Sequence, residues 1–191
     1  MSTLKLVVLG STRGTNMEAI VNAINSSEID ASIEIVISNR KDAYILQRSD
    51  DYHLPNKFIS AKDLDRPKYD NLLIREILQY KPDLILLIGY MRILGNDFIN
   101  VFDGKILNIH PSLLPKHAGL MDLMVHQSVL DADDVESGCT VHQVNEQVDG
   151  GKIELQLKCA VEKGDTAKSL KQRVQALESK AWIEVIKGWI K

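Results

Sequence analysis

Apolar, β-branched runs at residues 4–9, 33–38, 84–88 and 106–109 read as buried strands. Between them Met17, Ile20, Val21 and Ile24, and later Leu72, Leu73, Ile77 and Tyr80, recur at the three- and four-residue spacing of an amphipathic helix. Strands alternating with helices predict βαβ units, and with them an α/β fold whose mostly parallel sheet is flanked by helices. Residues 56–59, bounded by Pro55 and a charged stretch, predict one further short strand. Past Pro115 the pattern changes. A helix around residues 123–130 leads into strands at 138–144 and 153–161, an antiparallel strand pair in the C-terminal part joined through Asp149, Gly150 and Gly151. Residues 166–187 predict a long final helix, capped by Asp165 or Thr166, with Leu170, Val174, Leu177, Ala181 and Val185 along one face.

A chain of 191 residues accommodates one substantial core, so residues 1–191 are expected to form a single domain. A hydrophobic content of 45% and a charged content of 26% exclude disordered and membrane classes. The net charge of -3 gives no electrostatic reason for a nucleic-acid partner. No signal-like segment follows Met1 and no apolar run is long enough for a bilayer, so a cytoplasmic protein without membrane association is the expectation. Cys139 and Cys159 lack metal-ligand spacing and are expected to be buried thiols in a reducing compartment.

Chemistry concentrates at Asn108-Ile109-His110-Pro111. Alternation along a strand puts Asn108 and His110 on one face, and Pro111 ends the ladder. An amide beside an imidazole at a strand terminus suits oxyanion stabilisation and proton handling, while the plain alternative is a strand ending in polar residues and a turn. Residues 10–16, Gly-Ser-Thr-Arg-Gly-Thr-Asn, are either an ordinary glycine-rich strand-to-helix turn or a phosphate site at a helix N-terminus. They match neither a dinucleotide fingerprint nor a P-loop. Residues 89–94, Gly-Tyr-Met-Arg-Ile-Leu, either pack the core or line an apolar slot for a planar ring. Asp149 is a turn residue or the carboxylate that orients His110 and favours its protonated form. His142 reads as a hydrogen-bonded core histidine, and His53, His117 and His126 show no ligand spacing, so no metal is expected.

With those motifs in hand, the chain resembles the folate-dependent formyltransferases, and among them the glycinamide ribonucleotide transformylase family. The likeness runs from Val7-Val8-Leu9 and Gly14-Thr15-Asn16 through residues 89–94 and 107–115 to Gly138-Cys139-Thr140-Val141-His142, Val148-Asp149-Gly150-Gly151 and the last helix. The resemblance implies a Rossmann-like fold, with a phosphate-binding half at about residues 1–100 and a catalytic, folate-binding half at about 85–191. It implies a catalytic set of Asn108, His110 and Asp149. Glycinamide ribonucleotide would be held by Gly14, Thr15, Asn16, Arg66, Met91 and Glu178, and folate by Arg92, Ile93, Leu94, Asn145, Glu146, Gln147, Val148 and Gly150.

The implied reaction moves the formyl group of 10-formyltetrahydrofolate, a co-substrate, to the amine of N1-(5-phospho-D-ribosyl)glycinamide in purine synthesis, without metal. Partners are then small molecules, and the protein a monomer or homodimer. A 10-formyltetrahydrofolate hydrolase and a non-catalytic folate or nucleotide binder are the alternatives. Two departures from the family pattern stand out: residues 117–127 are a few positions longer than its Gly-Leu-His-Thr-His form, and Ser179 follows Glu178 where a histidine is common.

Overall fold

The computed structural model describes residues 3–189. Its elements run β1 (Leu4–Leu9), α1 (Thr15–Asn25), β2 (Ala31–Ser38), α2 (Tyr44–Asp51), β3 (Asn56–Phe58), α3 (Arg66–Leu78) and β4 (Leu84–Leu87). They continue with α4 (Asn96–Val101), β5 (Ile106–His110), α5 (Leu123–Asp131), β6 (Glu136–Gln143), β7 (Ile153–Ala160) and α6 (Ala167–Trp189). The strands hydrogen-bond in the order β3-β2-β1-β4-β5-β6-β7, a mixed and mostly parallel sheet flanked by helices, as the alternation predicts. No described helix is long and apolar enough to cross a membrane.

The chain divides into two compact units between Leu107 and Asn108, inside β5, with Trp189 belonging to the first. In the first unit β1 pairs in parallel with both β2 and β4, and β2 with β3. Leu6, Val7, Val8 and Leu9 are all fully buried, which is why this strand is a continuous apolar run rather than an alternating one. Helix α1 buries Met17, Ile20, Val21 and Ala23. Helix α3 starts at the Asp65 carboxylate, which accepts the Lys68 backbone N–H at 2.9 Å. Two corrections to the sequence reading fall here: Leu72 on α3 is exposed and Tyr80 lies beyond its end, the buried stripe being Tyr69, Leu73 and Ile77. Helices α2 and α4, of 8 and 6 residues, were not foreseen, since one or two turns are too short to display a period.

The second unit contains the end of β5, α5, the antiparallel pair β6 and β7, and most of α6. The ladder slips one residue between Val141 and His142, which pair with Leu155 and Ile153. Thr166 caps α6, its hydroxyl accepting the Ser169 N–H at 3.2 Å. The buried stripe of α6 is broader than expected: Trp182 and Ile186 join Leu170, Val174, Ala181 and Val185, while Leu177 is only half-buried. Cys139 is buried, but Cys159 on β7 is only half-buried, and both are free thiols.

Candidate active site

The second unit assembles Asn108, His110 and Asp149. His110 is almost fully buried at the end of β5, with its Nδ1 3.2 Å from Asp149 Oδ2 and its Nε2 3.0 Å from the His117 carbonyl. A carbonyl only accepts, so Nε2 carries a hydrogen and Nδ1 is the nitrogen left facing the carboxylate. Asp149 reaches this position from the β6–β7 loop with a φ of 54°, and its Oδ2 also accepts the Gly119 N–H at 2.8 Å.

A fourth group belongs to this set and was read from the sequence as a core residue. His142 Nε2 lies 3.3 Å from Asn108 Nδ2 and 3.6 Å from Asp149 Oδ1. Its Nδ1 donates to the Gln143 carbonyl at 2.8 Å, and its Nε2 is shared between the Asn108 amide and the Asp149 carboxylate. Alternation puts Thr140 on the same face, where its hydroxyl donates to the Ser112 carbonyl at 2.7 Å and accepts the Leu114 N–H at 3.1 Å. That shared face was the one available signal for His142.

Electrostatics act on this set in opposing directions. Burial pushes the His110 pKa below its ordinary value, outweighing the Asp149 charge and the His117 carbonyl, which pull it up. Burial thus favours the neutral ring, against the pull of the carboxylate toward the cation. Burial alone would raise Asp149, but the His142 ring, the Gly119 N–H and His110 outweigh it and hold the carboxyl below its usual range. A neutral imidazole with an open Nδ1 beside a carboxylate is built to accept a proton and then stabilise the resulting charge. Cys139 is unsuited to nucleophilic work, its thiol pushed up to about 12 by burial and the nearby Glu178 charge.

In the first unit two loops at the carboxyl ends of β1 and β4 are stitched together. Ser11 N–H donates to the Gly89 carbonyl at 3.1 Å, and Ser11 Oγ accepts the Met91 N–H at 2.9 Å while bonding Asn39 Oδ1 at 2.5 Å. Gly14 precedes α1 with φ 70°, and a Cβ there would lie 2.5 Å from Ile45, so only glycine fits the turn that leads into α1. Thr15 is half-buried and Asn16 buried in that first turn. Met91 and Ile93 are exposed, Leu94 is buried, and the Arg92 guanidinium lies 4.7 Å above the Tyr69 ring. Arg66 is exposed at the start of α3 beside Asp70 and Gly95, next to the loop after β4.

The remaining expected residues lie in the second unit. Asn145 folds its loop back on itself, accepting the Gln147 N–H at 3.0 Å and donating to the Gly150 carbonyl at 3.2 Å, which leaves Glu146, Gln147 and Val148 exposed. Glu178 is half-buried on α6.

Comparison with known proteins points to one family. Residues 4–186 match the family model described as Formyl transferase. The phosphoribosylglycinamide formyltransferase of Haemophilus influenzae is 43% identical over 184 residues, covering 96% of this chain and 85% of that one. The trifunctional purine biosynthetic protein adenosine-3 of Gallus gallus is 38% identical over 180 residues, 94% of this chain and 18% of that larger protein. The solved phosphoribosylglycinamide formyltransferase of Coxiella burnetii superposes with a TM-score of 0.92 at 39% identity, covering 97% of this chain and 86% of that one.

Proposed function

Since the chain belongs to the formyl transferase family, in its phosphoribosylglycinamide formyltransferase branch, we propose that it passes the formyl group of 10-formyltetrahydrofolate to the amine of N1-(5-phospho-D-ribosyl)glycinamide in purine biosynthesis. The observation that carries the chemistry is the buried His110 ring, its Nδ1 3.2 Å from Asp149 and Asn108 alongside on the same strand.

The amine nitrogen attacks the formyl carbon, and the carbonyl electron pair moves onto oxygen. Asn108 donates an amide hydrogen to that oxyanion, an interaction whose loss typically costs about a hundredfold or more. As the new C–N bond forms, one amine proton passes to His110 Nδ1, and Asp149 stabilises the imidazolium. Collapse of the tetrahedral species re-forms the carbonyl and breaks the bond to the folate nitrogen, which takes the proton from His110. No covalent intermediate with the protein is needed. The products are the N-formyl ribonucleotide and tetrahydrofolate.

Gly14, Thr15 and Asn16 are assigned to the substrate phosphate, since the turn before α1 presents backbone N–H groups at a helix N-terminus. Arg66, Met91 and Glu178 complete the ribonucleotide contacts in this reading. Arg92, Ile93, Leu94, Asn145, Glu146, Gln147, Val148 and Gly150 hold the folate, and the exposure of Ile93 and Val148 supplies apolar surface for its ring. The protein is a cytoplasmic enzyme of small-molecule metabolism in this assignment.

His110→Ala separates catalysis from binding. The variant should lose nearly all formyl transfer while still binding the ribonucleotide in a calorimetric titration. Unchanged turnover would remove His110 from the chemistry.

A further inference from the structure

The turn at residues 116–119 meets the proposed catalytic pair from outside, and its geometry is held in an unusual way. His117 sits at φ 60°, in the left-handed region that a side chain with a Cβ seldom adopts. Such a conformation persists where surrounding contacts over-determine it. Here those contacts are made by the imidazole: His117 Nε2 lies 2.9 Å from Asp134 Oδ2, and Nδ1 lies 2.6 Å from Ser128 Oγ. Nε2 meets the carboxylate, and Nδ1 meets a serine oxygen that also donates to the Val125 carbonyl at 2.9 Å, which ties the imidazole to α5. Lys116 Nζ holds the other Asp134 oxygen at 2.5 Å. A cavity of about 270 Å³ lies beside Leu113, His117, Val129 and Asp134.

What the turn presents inward is a pair of consecutive carbonyls. The Lys116 carbonyl accepts from Ser112 Oγ at 2.6 Å, and the His117 carbonyl accepts from His110 Nε2 at 3.0 Å. The turn thus grips the His110–Ser112 segment at two points, and two residues later the Gly119 N–H binds Asp149. An imidazole whose one nitrogen is committed to a carbonyl has its tautomer chosen for it.

We propose that His117 is a positioning residue: its imidazole, clamped between Asp134 and Ser128, fixes the carbonyl that keeps His110 Nε2 protonated and reserves Nδ1 as the proton-accepting nitrogen. This rests on the formyl-transfer reading for its catalytic consequence, but the tautomer is a property of the resting protein. The clamp residues touch no reacting atom. They act through the turn, so their loss should lower turnover more than substrate affinity.

The test uses the full-length protein labelled with 15N at histidine, with the His110 signals assigned by comparison with His110→Ala. Because Asp149, His142, His117 and His126 all act electrostatically on His110, its own nitrogen shifts are the readout rather than a pH profile alone. Wild type should show the Nε2–H tautomer above the His110 pKa. Ser128→Ala and Asp134→Ala should each show a mixture of tautomers, with kcat lowered about tenfold or more and KM within about threefold, the scale expected of a slightly misplaced group. Their acid limb should move to lower pH, since the imidazolium loses an acceptor. Asp134→Asn keeps an oxygen acceptor and a similar shape, so it should retain the wild-type tautomer, and it remains readable if Asp134→Ala does not fold. An Nδ1–H tautomer in wild type, or wild-type His110 shifts in folded Ser128→Ala and Asp134→Ala, would overturn the proposal. Tautomer scrambling in a protein that transfers no formyl group would uphold the clamp and count only against the assigned activity.

Discussion

At the scale of single residues, the site turns on which form of His110 is present before substrate arrives. A lone carboxylate neighbour favours the cation, but His110 is 4% exposed and loses more from burial than it gains from Asp149. The working form is then the neutral base, which dominates above the lowered pKa. Asp149 stays ionised through the same range, because its own pKa is lowered. The kcat/KM profile should therefore hold its plateau below pH 6.5, the ordinary imidazole value, and fall as pH drops through the lowered His110 value. A stopped pH series from 4.5 to 8 checks this, and an acid limb at or above 6.5 would contradict it. The limb belongs to the coupled His110 and Asp149 pair rather than to one ring.

At the scale of elements, helix α5 carries a separate titration. His126 on its buried face has Nδ1 without a hydrogen-bond partner among the described residues. Burial first, and then the Lys171 charge, push its pKa down to about 4. Below pH 6.5 the unfolded chain takes up a proton that the folded helix refuses. Stability from this group is complete above 6.5 and declines by roughly 1.4 kcal/mol per pH unit as pH falls toward about 4. Urea unfolding at pH 7, 5.5 and 4.5 should show a shallower decline in His126→Leu than in wild type, and parallel declines would rule His126 out as the cause.

The same scale explains what the sequence made legible. Strands β1, β2, β4 and β5 announce themselves because burial on both faces demands unbroken apolar runs, and α1, α3 and α6 because several turns display a period. Helices α2 and α4 are too short for that, and Trp182 was missed because α6 buries a stripe wider than one heptad-like line. In the site, alternation was enough to pair Asn108 with His110. Asp149 arrives from a hairpin loop and His142 through a slipped ladder, contacts set by long-range pairing that no local pattern encodes. His117 offered no signal at all, since its role depends on a turn whose geometry comes from Asp134 and Ser128.

At the scale of the whole molecule, the chain spans most of its single-activity relatives, 85% of the Haemophilus influenzae protein, and only 18% of the trifunctional one from Gallus gallus. Its net charge of -3 does not oppose a phosphorylated substrate, because backbone amides at the start of α1 provide local positive potential without a basic surface. The central claim is that the formyl group goes to an amine and not to water. The decisive measurement follows tetrahydrofolate release from 10-formyltetrahydrofolate with and without N1-(5-phospho-D-ribosyl)glycinamide, with no metal added. Release that requires the ribonucleotide and matches the N-formyl product mole for mole is the predicted result; equal release without the acceptor would identify a hydrolase and contradict it.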